Sequence, residues 1–374
     1  MRTVGAGARD TNRQILWYGS FAVIETSTAL AELVARIAET ARVGIDTEAD
    51  SLHCYSEKVC LVQVGLPDAD ELVDPLAKLD LSPLLHALSR TEIVLHGADF
   101  DLRMLYRLGL ATPGKVFDTV VAARLTGVAK FGYSALVREH FGVTLPKGSQ
   151  KANWACRPLA PSVAQYARND THFLLPLAEL LERQLETLGR LTWLEQSCQR
   201  AVSVARIVRE RDPQTEWRVR GSHTLGPRAS AVLRALWHWR EDEARTIDRP
   251  PFHILSNEKL VDAARRSDLG EAVSSGGISG TRRARFERAA DDALRLDQSE
   301  LPGRAPAKPR RHLTRDQDKR VIALKHGRDR AAAELAIDAD LIAPRAALER
   351  IATDVDDGMN SLLPWQQQLL RGSY

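Results

Sequence analysis

The chain has 374 residues, of which 44% are hydrophobic and 27% charged, and its formal net charge is +3. That length exceeds one ordinary hydrophobic core, so two or three domains are expected. The composition is that of a soluble globular protein, and a charge excess this mild does not by itself indicate nucleic acid.

No apolar run approaches the roughly 20 residues needed to span a bilayer. The opening segment MRTVGAGARDTNRQ is polar and lacks the apolar region of a secretory signal, so residues 1–20 read as a frayed leader. Cys54, Cys60, Cys156 and Cys198 make no CxxC pair and sit at no zinc-finger spacing to histidine. A disulfide framework or structural zinc site is therefore not expected, and a reducing, cytoplasmic setting is.

Strand-like segments come first. RVGIDTE (42–48) is a short apolar run ending in acids; KVCLVQVG (58–65), ADELVDPL (69–76) and EIVLHGA (92–98) follow. Helical spacing appears at 81–90, 101–110 and 118–127. The loops between 42 and 76 are too short for helical crossovers, which predicts an antiparallel meander inside a mixed sheet flanked by helices. Residues 161–188 form a long helical stretch that Pro176 should kink or split. Residues 190–225 lead out of this region, 226–297 look wholly helical with loops at 248–251 and 274–280, and 314–371 form another helical set. Between the two sets, LPGRAPAKPRRH (301–312) has a linker composition. The similar size of the two sets suggests a duplicated small module.

Several acids occupy places where chemistry can happen. Asp46 and Glu48 close a predicted strand, and residues i and i+2 on a strand share a face, so both can reach one hard cation. A solvated strand edge produces the same pair. Asp101 opens a predicted helix, where a carboxylate can simply be the N-cap, and Asp99 suits that role equally well. Tyr166 and Asp170 lie one turn apart on one helical face, where a core tyrosine is the ordinary reading. Asp118 reads as the cap of the helix after it, and His96 as a buried histidine. Taken together, four acids from three separated segments form the arrangement that two-metal phosphodiester hydrolysis needs, with a phenol to orient water.

The order Asp46-x-Glu48, Asp101, Tyr166-x3-Asp170 resembles the tyrosine-bearing subgroup of the DEDD exonuclease superfamily. The stretch LPKGSQKANWACRPLAPSVAQYARND (145–170) is similar to the ribonuclease D family, with Lys147, Gln150, Trp154, Arg157-Pro158-Leu159 and Tyr166 in the expected order. The resemblance covers about residues 20–190. It implies an RNase H-like α/β exonuclease fold, two divalent ions (Mg²⁺ or Mn²⁺) held by Asp46, Glu48, Asp101 and Asp170, and Tyr166 positioning or deprotonating the water. Lys147, Gln150, Trp154 and Arg157 are candidate substrate contacts. For the two basic residues a solvated charge is an equal alternative, and for Trp154 packing is the ordinary role.

The helical half adds to this. ASAVLRALWHWREDEARTIDRPPFHILSNEKLVDAARR, within 229–297, resembles an HRDC domain, and RVIALKHGRDRAAAELAIDADLIAPRAALERIA with LPWQQQLL (363–370) resembles a divergent second copy. Ten Lys or Arg against three Asp between 301 and 330, with Arg265-Arg266 and Arg282-Arg283-x-Arg285, suit a sequence-independent phosphate path.

The expected division is a leader over 1–20, the exonuclease domain over 21–190, a helical linker over 191–225, an HRDC domain over 226–298, a basic linker over 299–313 and a second HRDC-like domain over 314–374. The expected activity is 3′→5′ trimming of RNA, with tRNA precursors or other structured RNAs as substrates and 5′-mononucleotides as products. A DNA exonuclease and a non-catalytic nucleic-acid-binding protein are the alternatives. A monomer without membrane contact is expected, and no protein partner is inferred.

Overall fold

The structure, a computed structural model, describes residues 22–146, 148–207, 212–273, 277–303 and 313–371. The expected leader, Lys147 and residues 304–312 of the basic linker lie outside them.

The chain enters through α1 (Ser27–Ala38), capped by the Thr26 hydroxyl, which accepts from the Ala29 N–H. Leu30, Leu33 and Ile37, spaced three and four apart, turn inward. Then come β1 (Arg42–Ala49), β2 (Val59–Gly65) and β3 (Asp70–Val73), paired antiparallel as the short loops require. After α2 (Ser82–Leu88), β4 (Glu92–Leu95) returns parallel to β1. α3 (Asp99–Arg107) then leads to β5 (Val116–Asp118), parallel to β4, and the sheet order is β3-β2-β1-β4-β5. Because β1 is central and β4 is parallel to it, the chain leaves β4 at the same end where β1 carries its acids. The start of α3 is thereby delivered beside Asp46 and Glu48. Strand β5 was not visible in the sequence: at three residues, VFD is too short for any periodicity, and only its neighbour β4 makes it a strand.

α4 (Thr119–Leu125) and α5 (Tyr133–Phe141) follow. The long helical stretch divides into α6 (Pro161–His172) and α7 (Leu174–Thr187). The break falls at Phe173, and Pro176 sits in the first turn of α7, where a missing N–H costs no intrahelical bond. α6 lies across β1, β2 and β3, and α7 across β1 and β4. Every residue of β2 is buried as a result. α8 (Leu191–Ala205) closes the β5 edge.

The two helical sets attach differently. α9 (Pro213–Glu216), α10 (Pro227–Thr246), α11 (Pro251–Ile254), α12 (Asn257–Asp268) and α13 (Gly280–Leu294) surround their own core, where Trp239 meets Phe286 edge-on at 5.1 Å. This set touches the sheet domain through polar contacts. The Tyr55 N–H donates to Asp248 at 3.1 Å, its hydroxyl donates to Glu241 at 3.2 Å, and Arg245 stacks over its ring at 5.3 Å.

By contrast, α14 (Arg315–Leu335), α15 (Ala339–Ile342), α16 (Arg345–Thr353), α17 (Val355–Asn360) and α18 (Pro364–Leu370) share one continuous apolar core with the sheet domain. Trp193 and Trp365 stack at 4.8 Å, and the buried Arg190 donates to the Leu125 carbonyl at 2.6 Å and the Leu335 carbonyl at 2.8 Å. Trp365→Ala should therefore cost about 3–5 kcal/mol, seen in chemical denaturation as earlier unfolding of sheet domain and last helices in one transition. A separate early transition of the last helices, with the sheet domain unmoved, would contradict the shared core.

The two sets also repeat one device. Buried Arg240 on α10 donates to the carbonyl of Leu255, fifteen residues on, and pairs with Glu241. Buried Arg328 on α14 donates to the carbonyl of Ala343, also fifteen residues on, and pairs with Asp329.

Candidate active site

Asp46 and Glu48 lie on β1, and Asp170 projects from α6. One carboxylate oxygen of each falls within 4.8 Å of the others. Asp101, in the first turn of α3, is 5% exposed and accepts a 2.7 Å hydrogen bond from the Thr47 hydroxyl. Asp99 points away and pairs with Arg103 at 2.7 Å across one exposed turn. Neither acid caps α3; its N-cap position is Ala98 without a side-chain bond. The capping is done from outside. Buried Asp118 accepts from the Gly97 and Ala98 N–H groups at 3.0 and 2.9 Å, and from Val120 N–H at 2.8 Å at the start of α4. Gly97, with φ +85°, makes the turn that allows this. With the cap supplied by Asp118, Asp101 is left to face the acids.

Burial and mutual repulsion dominate the electrostatics. Burial first, then the charges of Asp101, Asp170 and Glu48, hold the Asp46 carboxyl well above the usual carboxylate range. Glu48 is pushed up to about 9 by burial and then by Asp170 and Asp101. Asp101 and Asp170 rise to about 7, again mainly through burial. Among the described residues, the charges that bear on Asp46 and Glu48 are all negative. Hard oxygen donors crowded this way, with no protein cation among them, suit a divalent metal, which would relieve the repulsion that burial magnifies.

Tyr166 sits one turn before Asp170 on α6, and its phenol lies near the Asp170 carboxylate and the Gln150 side chain. Burial and the neighbouring acids raise the phenol's pKa above its ordinary value, so it keeps its proton. Its ring lies 6.2 Å from Trp154. Of the candidate substrate contacts, Gln150 is thus at the site. Trp154 and Arg157 are placed otherwise, and the expectation of substrate contact is corrected for both. Trp154 is 1% exposed inside a small core with Cys60, Leu61 and Leu72. The Arg157 guanidinium spends five hydrogen bonds inside the protein, on both oxygens of Asp74 and on the carbonyls of Trp154, Cys156 and Cys60. A guanidinium has five N–H donors, so none remains for phosphate. His96 is a half-buried, neutral histidine: desolvation lowers it to about 4, and its Nδ1 lies 2.8 Å from the Thr119 hydroxyl.

The helical arginines are also partly committed. Arg282 and Arg285 both pair with Glu243, and Arg283 with Glu287 at 2.6 Å. Sequence reading missed Thr47 and Gln63, which bond the acids directly. The one signal for Gln63 was an amide inside the apolar run VCLVQVG.

A sheet with this order, acids at the end of its central strand and two more delivered by flanking helices, make up an α/β fold of RNase H-like architecture with an acidic centre at one end of the sheet. The family described as 3′-5′ exonuclease matches residues 21–186, and the HRDC domain family matches 229–286. The Ribonuclease D of Sphingobium indicum is 34% identical over 306 residues, which cover 77% of this chain and 76% of that protein. Among solved structures, a protein from Bifidobacterium adolescentis superposes with TM-score 0.80 at 24% identity, covering 94% of this chain and 95% of that one. RNase D of Escherichia coli, described as an exoribonuclease involved in structured RNA processing, does so with TM-score 0.68 at 24% identity, covering 95% and 100%. The chain belongs to the ribonuclease D family, and it is a 3′→5′ exoribonuclease. No helix among the described residues is long and apolar enough to cross a membrane.

Proposed function

We propose that this enzyme trims the 3′ ends of structured RNAs, tRNA precursors among them, and releases 5′-mononucleotides. Asp46, Glu48, Asp101 and Asp170 are the ligands of two divalent cations, Mg²⁺ or Mn²⁺. The observation that carries this reading is the approach of Asp46, Glu48 and Asp170 within 4.8 Å, with Tyr166 one turn before Asp170 on the same helix. Two cations bound there supply Lewis-acid charge to the attacking and leaving oxygens and lower the pKa of the nucleophilic water. The protein's own part is geometric. β1, α3 and α6 hold the carboxylates, and the protonated Tyr166 phenol orients the water by hydrogen bonding. Asp170 and Gln150 are the side chains near that phenol.

Tyr166→Phe removes the orienting hydroxyl and leaves the acids. Its kcat should fall by roughly 10²–10³-fold, the usual scale for a positioned proton-handling group, with Mn²⁺ affinity unchanged. Single-turnover rates set beside metal titrations check this, and a kcat within a few-fold of wild type would remove Tyr166 from the mechanism.

The repeated Arg240 and Arg328 devices, each bonded to a carbonyl fifteen residues on, support α14–α18 as a divergent HRDC-like copy fused to the nuclease. The first copy, with its own core and a polar joint at Tyr55, is the module that receives RNA. All four cysteines are free thiols, which fits a reducing cytoplasm. Side-by-side digestion of 3′-extended tRNA, unstructured RNA and single-stranded DNA tests the substrate reading. Shortening of the tRNA from its 3′ end with Mg²⁺ or Mn²⁺ is expected, and none in excess EDTA. Preferred digestion of the DNA would favour a DNA exonuclease, and full activity in EDTA would rule out the metal mechanism.

A further inference from the structure

Two neutral residues touch the acids without being part of the family of charges. Gln63 stands opposite Asp46 in the β1–β2 register, fully buried. Its Nε2–H donates to Asp46 Oδ2 at 3.1 Å. Its carbonyl oxygen is shut away from solvent and finds no hydrogen-bond partner among the described residues. Thr47, 3% exposed, donates its hydroxyl proton to Asp101 Oδ1 at 2.7 Å.

Folding does not account for Gln63. A buried amide with its acceptor unused destabilises a protein, and an apolar side chain of the same length would suit a strand whose every residue is buried. What the amide does instead is hold Asp46. By bonding Oδ2 it restrains rotation of the carboxylate that faces Glu48 and Asp170. The neutrality of both donors matters. A lysine or arginine in either place would set a protein cation among the acids and compete with the metal. An amide and a hydroxyl orient carboxylates without neutralising them.

We propose that Gln63 and Thr47 are positioning residues that set the divalent-cation affinity of the centre, Gln63 by orienting Asp46 and Thr47 by orienting Asp101. The proposal rests on the ligand assignment above. It separates a contribution to metal binding from a contribution to folding, since at Gln63 the two are expected to have opposite signs.

The test is Mn²⁺ binding to the full chain by calorimetry and electron paramagnetic resonance, beside metal-free thermal midpoints. Gln63→Met and Thr47→Val keep side-chain size and remove the donors, and each should raise the Mn²⁺ Kd by about 10–100-fold. Gln63→Met should melt no lower than wild type, because it also removes the unsatisfied carbonyl. Thr47→Ser keeps the hydroxyl and should restore affinity to within about three-fold of wild type, well inside the range expected for losing the bond. Gln63→Leu serves if the methionine packs poorly. Three results would overturn the proposal: unchanged Mn²⁺ affinity in Gln63→Met and Gln63→Leu, affinity lost only in step with a lowered thermal midpoint, or no rescue by Thr47→Ser. Asp46→Asn, run in parallel, distinguishes the two levels. If it abolishes Mn²⁺ binding while the Gln63 and Thr47 variants bind normally, the positioning idea fails alone. If Asp46→Asn itself binds normally, the ligand assignment fails.

Discussion

Asp46→Asn is expected to abolish cleavage while leaving RNA affinity nearly intact. The substitution conserves shape and removes one charge from a group placed within 4.8 Å of both Glu48 and Asp170. Metal-assisted charge stabilisation is worth several kcal/mol in the transition state, and each 1.36 kcal/mol is tenfold in rate, so a loss of at least about 10³-fold in kcat follows. RNA affinity is set by phosphate contacts spread over the surface and should change by less than roughly three-fold, because one carboxylate contributes little to that electrostatic sum. Single-turnover digestion of 5′-labelled RNA and filter-binding at one salt concentration measure the two quantities. Turnover within tenfold of wild type would displace Asp46 from the centre.

The second large effect concerns charge and pH in the metal-free protein. Folding raises the pKa values of Asp46, Glu48, Asp101 and Asp170, with Asp101 and Asp170 reaching about 7. A carboxyl raised in this way keeps its proton in the folded chain after the unfolded chain has lost it. Between the ordinary carboxylate range and about 9, where Glu48 titrates, the folded state therefore binds more protons, and stability falls as pH rises through that window. Asp170→Asn removes one of the repelling charges. At pH 8 without metal it should melt higher than wild type, by roughly 2–4 °C for each kcal/mol of repulsion relieved, and the difference should vanish near pH 4. Cation binding to the wild type at pH 8 should raise its midpoint, since ligand at 100 times Kd contributes about 2.7 kcal/mol, and Asp170→Asn should lose most of that rise. Calorimetric scans across pH, with and without Mn²⁺, read both. A variant that melts lower than wild type at pH 8 would show that packing at Asp170 outweighs its charge.

The mechanism shares its labour between charge and geometry. In the proposed mechanism the acids, gathered against their own repulsion, hold cations, and the fold opposes that repulsion with a shared core. α14–α18 complete that core, with Trp365 stacked on Trp193 and Arg190 bridging Leu125 and Leu335. The helices after the nuclease are thus unequal: one set is welded to it, and the other meets it at a polar joint around Tyr55, which lies on the loop that leaves β1.

Local regularities were legible in the amino-acid order alone. The alternation that puts Asp46 and Glu48 on one face, the one-turn spacing of Tyr166 and Asp170, and the antiparallel run of β1 to β3 depend on strand and helix geometry within a few residues. The long family-like stretch from 145 to 170 added the context that joined them. Other features waited on tertiary structure. Asp99 and Asp101 are two residues apart and equally able to cap a helix; only the approach of Asp118 to Gly97 and Ala98 frees both from that role and turns Asp101 inward. Arg157 reads as a phosphate contact until Asp74, 83 residues earlier, is seen to occupy it. Gln63 reads as an odd polar residue until strand register sets it against Asp46. Local spacing determines which side chains can share a face, so the residue types of the acidic centre were apparent from the sequence. Which oxygen each donor holds depends on pairings between distant segments, and only the folded sheet and its helices decided that.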